Sequence, residues 1–119
     1  MAARFGIATN EDNTGRVITH NYLKPAYAAT ISITPNVSKL YVEPAQLTGT
    51  LTVNAVVTSA LEYDEVVFIF NSDATARVVT FGTNFKSSGT ISVSSSKYAT
   101  VKFVFDGAYF IEMSRTVTA

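Results

Sequence analysis

The sequence predicts an all-β fold, and three observations carry that prediction. Apolar and polar residues alternate at a two-residue period around Ile31 and Ile33, Leu40 and Val42, Leu51 to Val57, and Val101 to Phe105. β-Branched and aromatic residues, which fit a pleated surface, dominate those stretches. No run of ten or more residues carries the apolar period of about 3.6 that a helix needs. An antiparallel β-sandwich or jelly roll of about eight short strands is expected, because doubling a sheet hides the strand edges that an open sheet leaves bare.

Taken in order, residues 1–25 read as an extended N-terminal arm. Asn10, Glu11, Asp12, Asn13, Thr14 and Gly15 are turn-rich and polar, with Val17, Ile18, Tyr22 and Leu23 as later anchors. Such a tail orders when its anchors find partners on a neighbouring surface. Lys24-Pro25 marks its end, since a residue before proline is held extended, and residues 26–119 form the β-domain. The first strand there holds Ile31 and Ile33 and closes at Pro35-Asn36. Leu40 and Val42 repeat the alternation until Pro44, which stops that strand or confines it to an edge. Leu51, Val53, Ala55 and Val57 follow after Gly49. Glu62, Tyr63, Asp64 and Glu65 read as an exposed acidic loop.

The central stretch is DEVVFIFNSDATARVVTF, residues 64–81. Val66, Phe68 and Phe70 point to one side of an extended strand and Val67 and Ile69 to the other, so both faces are apolar. Turn formers at residues 71–74 then predict a β-hairpin returning through Val78, Val79 and Thr80. An isolated hairpin is marginal in water, so other strands or another subunit must cover it. Further on, Phe85 is expected to plug the core from a loop, and Ile91 and Val93 form a short strand. Residues 97–105 face Val101, Phe103 and Phe105 inward, with Val104 the exception. Asp106-Gly107 fits a type I′ turn and returns the chain antiparallel toward Arg115.

At 119 residues the chain makes one domain, burying roughly 65% of its unfolded surface. It holds no cysteine, which excludes disulfides and thiolate metal sites. Nine basic and nine acidic side chains cancel, which argues against a broad field for nucleic acid or an acidic membrane. The opening residues lack the apolar core of a secretory signal, and no run reaches the roughly 20 apolar residues of a membrane span. A soluble, unprocessed product is expected.

Chemistry has little to stand on. His20 is the only imidazole, and a hydrolytic triad or zinc site needs several convergent groups. Glu62, Asp64 and Glu65 could suit a hard cation, but their spacing matches no EF-hand loop, so they read as a solvated acidic turn. No phosphate-cradling glycine loop is present. Tyr63 and Tyr98, near predicted loops, are the possible glycan contacts, against the plainer reading that they plug loop ends. No catalytic residue, metal ligand or cofactor is assigned.

The run DATARVVTFGTNF followed by ATVKFVFDGAYFIEMSR resembles a small β-domain recurring in virion structural proteins of tailed bacteriophages. Asp73, Ala74, Thr75, Arg77, Val79, Thr80, Phe81 and Asn84, then Val101, Phe103, Phe105, Asp106, Gly107 and Tyr109, carry the resemblance, which spans residues 40–115. The chain departs from the usual form where Phe85-Lys86 replaces a tryptophan after the asparagine loop. The resemblance implies a virion component that is a homo-oligomer, often a trimer, serving as capsid decoration, head fibre or tail fibre. Read from the residues themselves, the expected contacts with further copies or with the major capsid or other virion proteins are the arm anchors Val17, Ile18, Tyr22 and Leu23 and the second apolar flank, Val67 and Ile69. The chain is short and lacks shaft repeats, which favours a capsid auxiliary protein over a tail fibre.

Overall fold

The computed structural model describes residues 20–118, which are all-β, with ten short strands in two sheets and no helix. In chain order the strands are β1 (His20–Leu23), β2 (Thr30–Ile33), β3 (Lys39–Val42), β4 (Leu51–Ala55) and β5 (Glu65–Asn71). They continue as β6 (Arg77–Phe81), β7 (Phe85–Lys86), β8 (Ile91–Val93), β9 (Tyr98–Phe105) and β10 (Phe110–Val117). The six-stranded sheet runs β1-β3-β5-β9-β10-β7 and the four-stranded sheet β2-β4-β6-β8.

Through its first six strands the chain crosses from one sheet to the other at every step. Each strand then lies parallel to the one laid down two strands earlier: β3 on β1, β5 on β3, β4 on β2 and β6 on β4. This is the winding of a flattened coil, and the fold is solenoid-like. Antiparallel strands follow, with β8 on β6, β9 on β5 and β10 returning beside β9. The antiparallel sandwich or jelly roll expected from the sequence therefore does not form, since five of the eight strand pairings are parallel. A two-residue apolar alternation is the same in both arrangements and does not distinguish them.

The expected hairpin over residues 64–81 is corrected by the same topology. Both edges of β5 are occupied, by β3 and β9, so β6 has no place beside it and crosses to the other sheet. Local chemistry turns the chain across. Asp73 Oδ1 accepts from the Thr75 N–H at 3.1 Å, and its two carboxylate oxygens take a forked pair of bonds from Arg77 at 3.0 and 2.8 Å. Ser72, buried, bridges Leu47 and donates its hydroxyl to the Val93 carbonyl at 2.8 Å.

The core lies between the sheets. Ile31, Ile33, Leu51, Val53, Ala55, Val79, Phe81, Ile91 and Val93 line one wall, and Leu40, Val42, Val66, Phe68, Phe70, Val101, Phe103, Phe105 and Phe110 the other. Phenylalanine rings join them: Phe81 lies 4.8 Å from Phe103 and 5.5 Å from Phe68, centroid to centroid. Phe85 closes the gap, from the short strand β7 rather than from the expected loop, buried 4.8 Å from Phe103 and 5.9 Å from Phe110. The β9–β10 hairpin also forms where expected, but its turn is not type I′. In that loop only Gly107 has positive φ, while the Asp106 carboxylate accepts the Ala108 and Tyr109 N–H groups at 2.8 Å.

Pro44 lies beyond β3, which is an interior strand rather than an edge. Of the expected arm, residues 20–23 form the strand β1, laid parallel on the chain's own β3, and residues 1–19 lie outside the described residues.

Candidate functional site

Of the two apolar flanks of β5, the fold covers one. Val66, Phe68 and Phe70 are fully buried against the smaller sheet, whereas Val67 and Ile69 are half-buried on the outer face of the larger. Register extends this face sideways. Tyr22, Tyr41, Val67 and Lys102 form one row across β1, β3, β5 and β9, and Glu65, Val104 and Ile111 form part of the next. Among the described residues no further layer lies over it. Its charges are internally matched: Glu65 sits 3.4 Å from Lys39 and 3.5 Å from Lys102, and such exposed pairs add little stability.

The same face ends in the edge strand β1, exposed along its whole length. Tyr22 is 67% exposed and Leu23 40%. Leu23 is in register with Val42 and Phe68, so it belongs to the core side and is the first rung of the coil, with nothing stacked before it among the described residues. A coil that stops without a polar cap leaves apolar rungs in contact with water. Of the six expected contact residues, Tyr22, Leu23, Val67 and Ile69 thus fall on the larger sheet. Tyr22, Val67 and Ile69 lie on its outer face and Leu23 on its inner face at the open edge. Val17 and Ile18 lie outside the described residues.

Tyr63 and Tyr98 are not brought together. The Tyr63 N–H donates to the Phe105 carbonyl at 2.7 Å, at one end of β9, and Tyr98 begins the other end. The strand β9, Tyr98–Phe105, separates them, and its seven steps span about 24 Å at roughly 3.4 Å per residue. They cannot share a sugar ring. Tyr63 is 69% exposed with φ of 72°, and Tyr98 is 49% exposed, so neither plugs a loop end.

The acidic turn is also built differently from expectation. Asp64 is buried at 2% exposure, and its Oδ2 accepts the Leu61 N–H at 2.9 Å, which makes it a cap for its own loop rather than a solvated charge. Glu65 points instead to the two lysines. No group of three or more metal-ligating side chains gathers among the described residues. His20 lies on exposed β1, in register with Lys39.

Besides the two lysine pairs of Glu65, sequence reasoning missed two forked arginine pairs. The Asp73–Arg77 fork was detectable as an acid and a base four apart within a turn. The Glu112–Arg115 pair was not, because residues three apart in a regular strand face opposite ways. A β-bulge between Glu112 and Ser114 adds one residue and turns both inward. Arg115 then donates to both Glu112 oxygens at 2.7 Å and to the Gly89 and Thr90 carbonyls at 3.0 Å, and Glu112 accepts the Ser88 N–H at 3.0 Å. Each guanidinium holds its partner carboxyl below the usual range, and turn N–H groups do the same for Asp106. These clamps fasten loops and present no free reactive group.

No protein-family model matches the chain, and no curated protein matches it.

Proposed function

We propose that the chain is a structural virion protein of a tailed bacteriophage, assembled in the host cytoplasm. In this reading it is a capsid auxiliary protein, a decoration or head-fibre base, that self-associates and attaches to the shell through its N-terminal arm. The observation that carries the reading is the uncovered apolar side chains of Tyr22, Val67 and Ile69 on the outer face of the larger sheet, a face that ends, among the described residues, in the edge strand β1 with Leu23 exposed on its inner side. Water-exposed apolar surface next to free strand backbone favours association with a further protein layer. The residue pattern from Asp73 to Tyr109 supports the choice of a virion component, and a trimer is the assembly that this resemblance favours.

The test separates the two surfaces. Val67→Lys with Ile69→Lys should leave the circular dichroism spectrum unchanged and reduce the native mass to that of one chain. Deleting residues 1–19, which spares β1, should leave a folded oligomer that no longer joins particles. Normal incorporation of the truncated chain would reject the arm's role, and an unchanged mass in the double variant would reject the outer face. A second reading, a tail-fibre or receptor/glycan-binding module, is favoured by the depression beside Tyr98, where β5 ends and β9 begins.

A further inference from the structure

Where β5 ends and β9 begins, two adjoining depressions share Gln46 and Asn71. One, about 290 Å³, is lined by Gln46, Asn71, Asp73, Lys97 and Tyr98 among others, and the other, about 270 Å³, adds Lys24 and Glu43. Together they form a shallow groove within the size range of small-molecule sites. Asn71 and Tyr98 are direct cross-strand partners, so the amide stands beside the phenol ring on one face.

Three features specify the ligand. The Tyr98 ring is half-exposed although its backbone is fixed, its N–H donating to Thr118 Oγ1 at 2.9 Å and its carbonyl accepting the Thr118 N–H at 2.8 Å. An open aromatic face carried on a held strand suits the C–H face of a sugar. Asn71 is half-buried, yet its side chain makes no hydrogen bond among the described residues, and Gln46 reaches only the Ser72 carbonyl at 3.5 Å. The half-buried Asn71 amide offers a paired donor and acceptor, the complement of vicinal hydroxyls, and the exposed Gln46 amide adjoins it along the same depressions. The lining charges are of both signs, Lys24 and Lys97 against Glu43 and Asp73, with Asp73 engaged by Arg77. The small positive excess that remains is not the dense basic cluster that would mark the groove for a phosphate or other anion.

We propose that this groove binds a neutral oligosaccharide, with Tyr98 as stacking platform and Asn71 and Gln46 as hydroxyl readers. The groove lies at the end of the same outer face, two residues beyond Ile69 along β5, and its sugar titration is read separately from the native mass that tests the Val67–Ile69 contact.

The probes are maltotriose, cellotriose, lactose and triacetylchitotriose, titrated into the full chain while amide resonances are followed by NMR. At least one sugar should give saturable shifts centred on Asn71, Ser72, Lys97 and Tyr98. Tyr98→Ala should weaken that binding about tenfold with the remaining spectrum intact, matching the worth of one aromatic contact. Asn71→Ala should weaken it as well, and Tyr63→Ala, at the opposite end of β9, should leave it unchanged. The proposal is overturned if none of the four sugars gives saturable shifts, if the shifts centre on Tyr63, or if Tyr98→Ala binds as the parent does.

Discussion

Phe103 is the side chain on which the two sheets meet, with ring centroids 4.8 Å from Phe81 and Phe85 and 5.8 Å from Phe68. Truncating a buried ring loses its transfer energy and leaves a cavity that rigid neighbours do not fill. Phe103→Ala should therefore cost about 3–5 kcal/mol in urea unfolding, and a loss below about 1 kcal/mol would mean that the core collapses around the gap. Carboxylates set the acid limit. Glu112, held low first by the Arg115 guanidinium, Asp73, held low first by Arg77, and Asp106, held low by turn N–H groups, all have folded pKa values below their ordinary 4.5 or 3.8. A depressed folded pKa contributes stability that is complete above the unfolded value and is lost as pH falls through the folded one. The melting temperature should hold through neutral pH and fall below about pH 4.5, and Glu112→Gln should make that fall shallower. A melting curve unchanged down to about pH 2 would contradict the linkage.

The strands differ in how firmly they are held. β5 and β9 are interior strands with full cross-strand registers, whereas β1 has one neighbour and no buried side chain. Hydrogen exchange should accordingly be slowest at β5 and β9 and fastest at β1; comparable protection at β1 would indicate that something covers its open edge in solution. β10 depends on one extra residue. Met113, 61% exposed, is the bulge that lets Glu112 and Arg115 face the same way. Met113→Ala should change stability by no more than about 0.5 kcal/mol, as surface substitutions do. Deleting Met113 should instead be severely destabilising, because a one-residue slip sends Arg115 and Val117 to the opposite face. Equal effects of the two changes would show that the side chain, and not the added backbone, is what matters.

At the scale of the whole molecule, the described residues wind as a short coil that begins on β1 and β2. The late strands β8, β9 and β10 add antiparallel, and the two sheets end on β1 and β7 and on β2 and β8. Solenoids that stop on an apolar rung associate or are capped. Native mass spectrometry should find a multiple of the chain mass, with a monomer only after Val67→Lys and Ile69→Lys. A monomeric parent chain would remove the assembly reading while leaving the Tyr98 groove to be judged on its own titration.

Much of this was legible in the residues. Alternation placed nearly every strand and its inward face, because burial on one side of a pleat leaves a two-residue trace whatever the neighbouring strand is. It also marked Val67 and Ile69 as apolar on the flank that the fold leaves open. Which strand lies beside which is absent from that trace: parallel and antiparallel ladders use the same alternation, and the partner of β5 was settled by competition for its two edges. The same holds for side chains far apart in the chain. Asn71 and Tyr98 became neighbours, and Tyr63 and Tyr98 were driven to opposite ends, through the register of β5 on β9. Register is a property of the packed pair, fixed when Phe68, Phe103 and Phe81 interlock, and neither strand carries it alone.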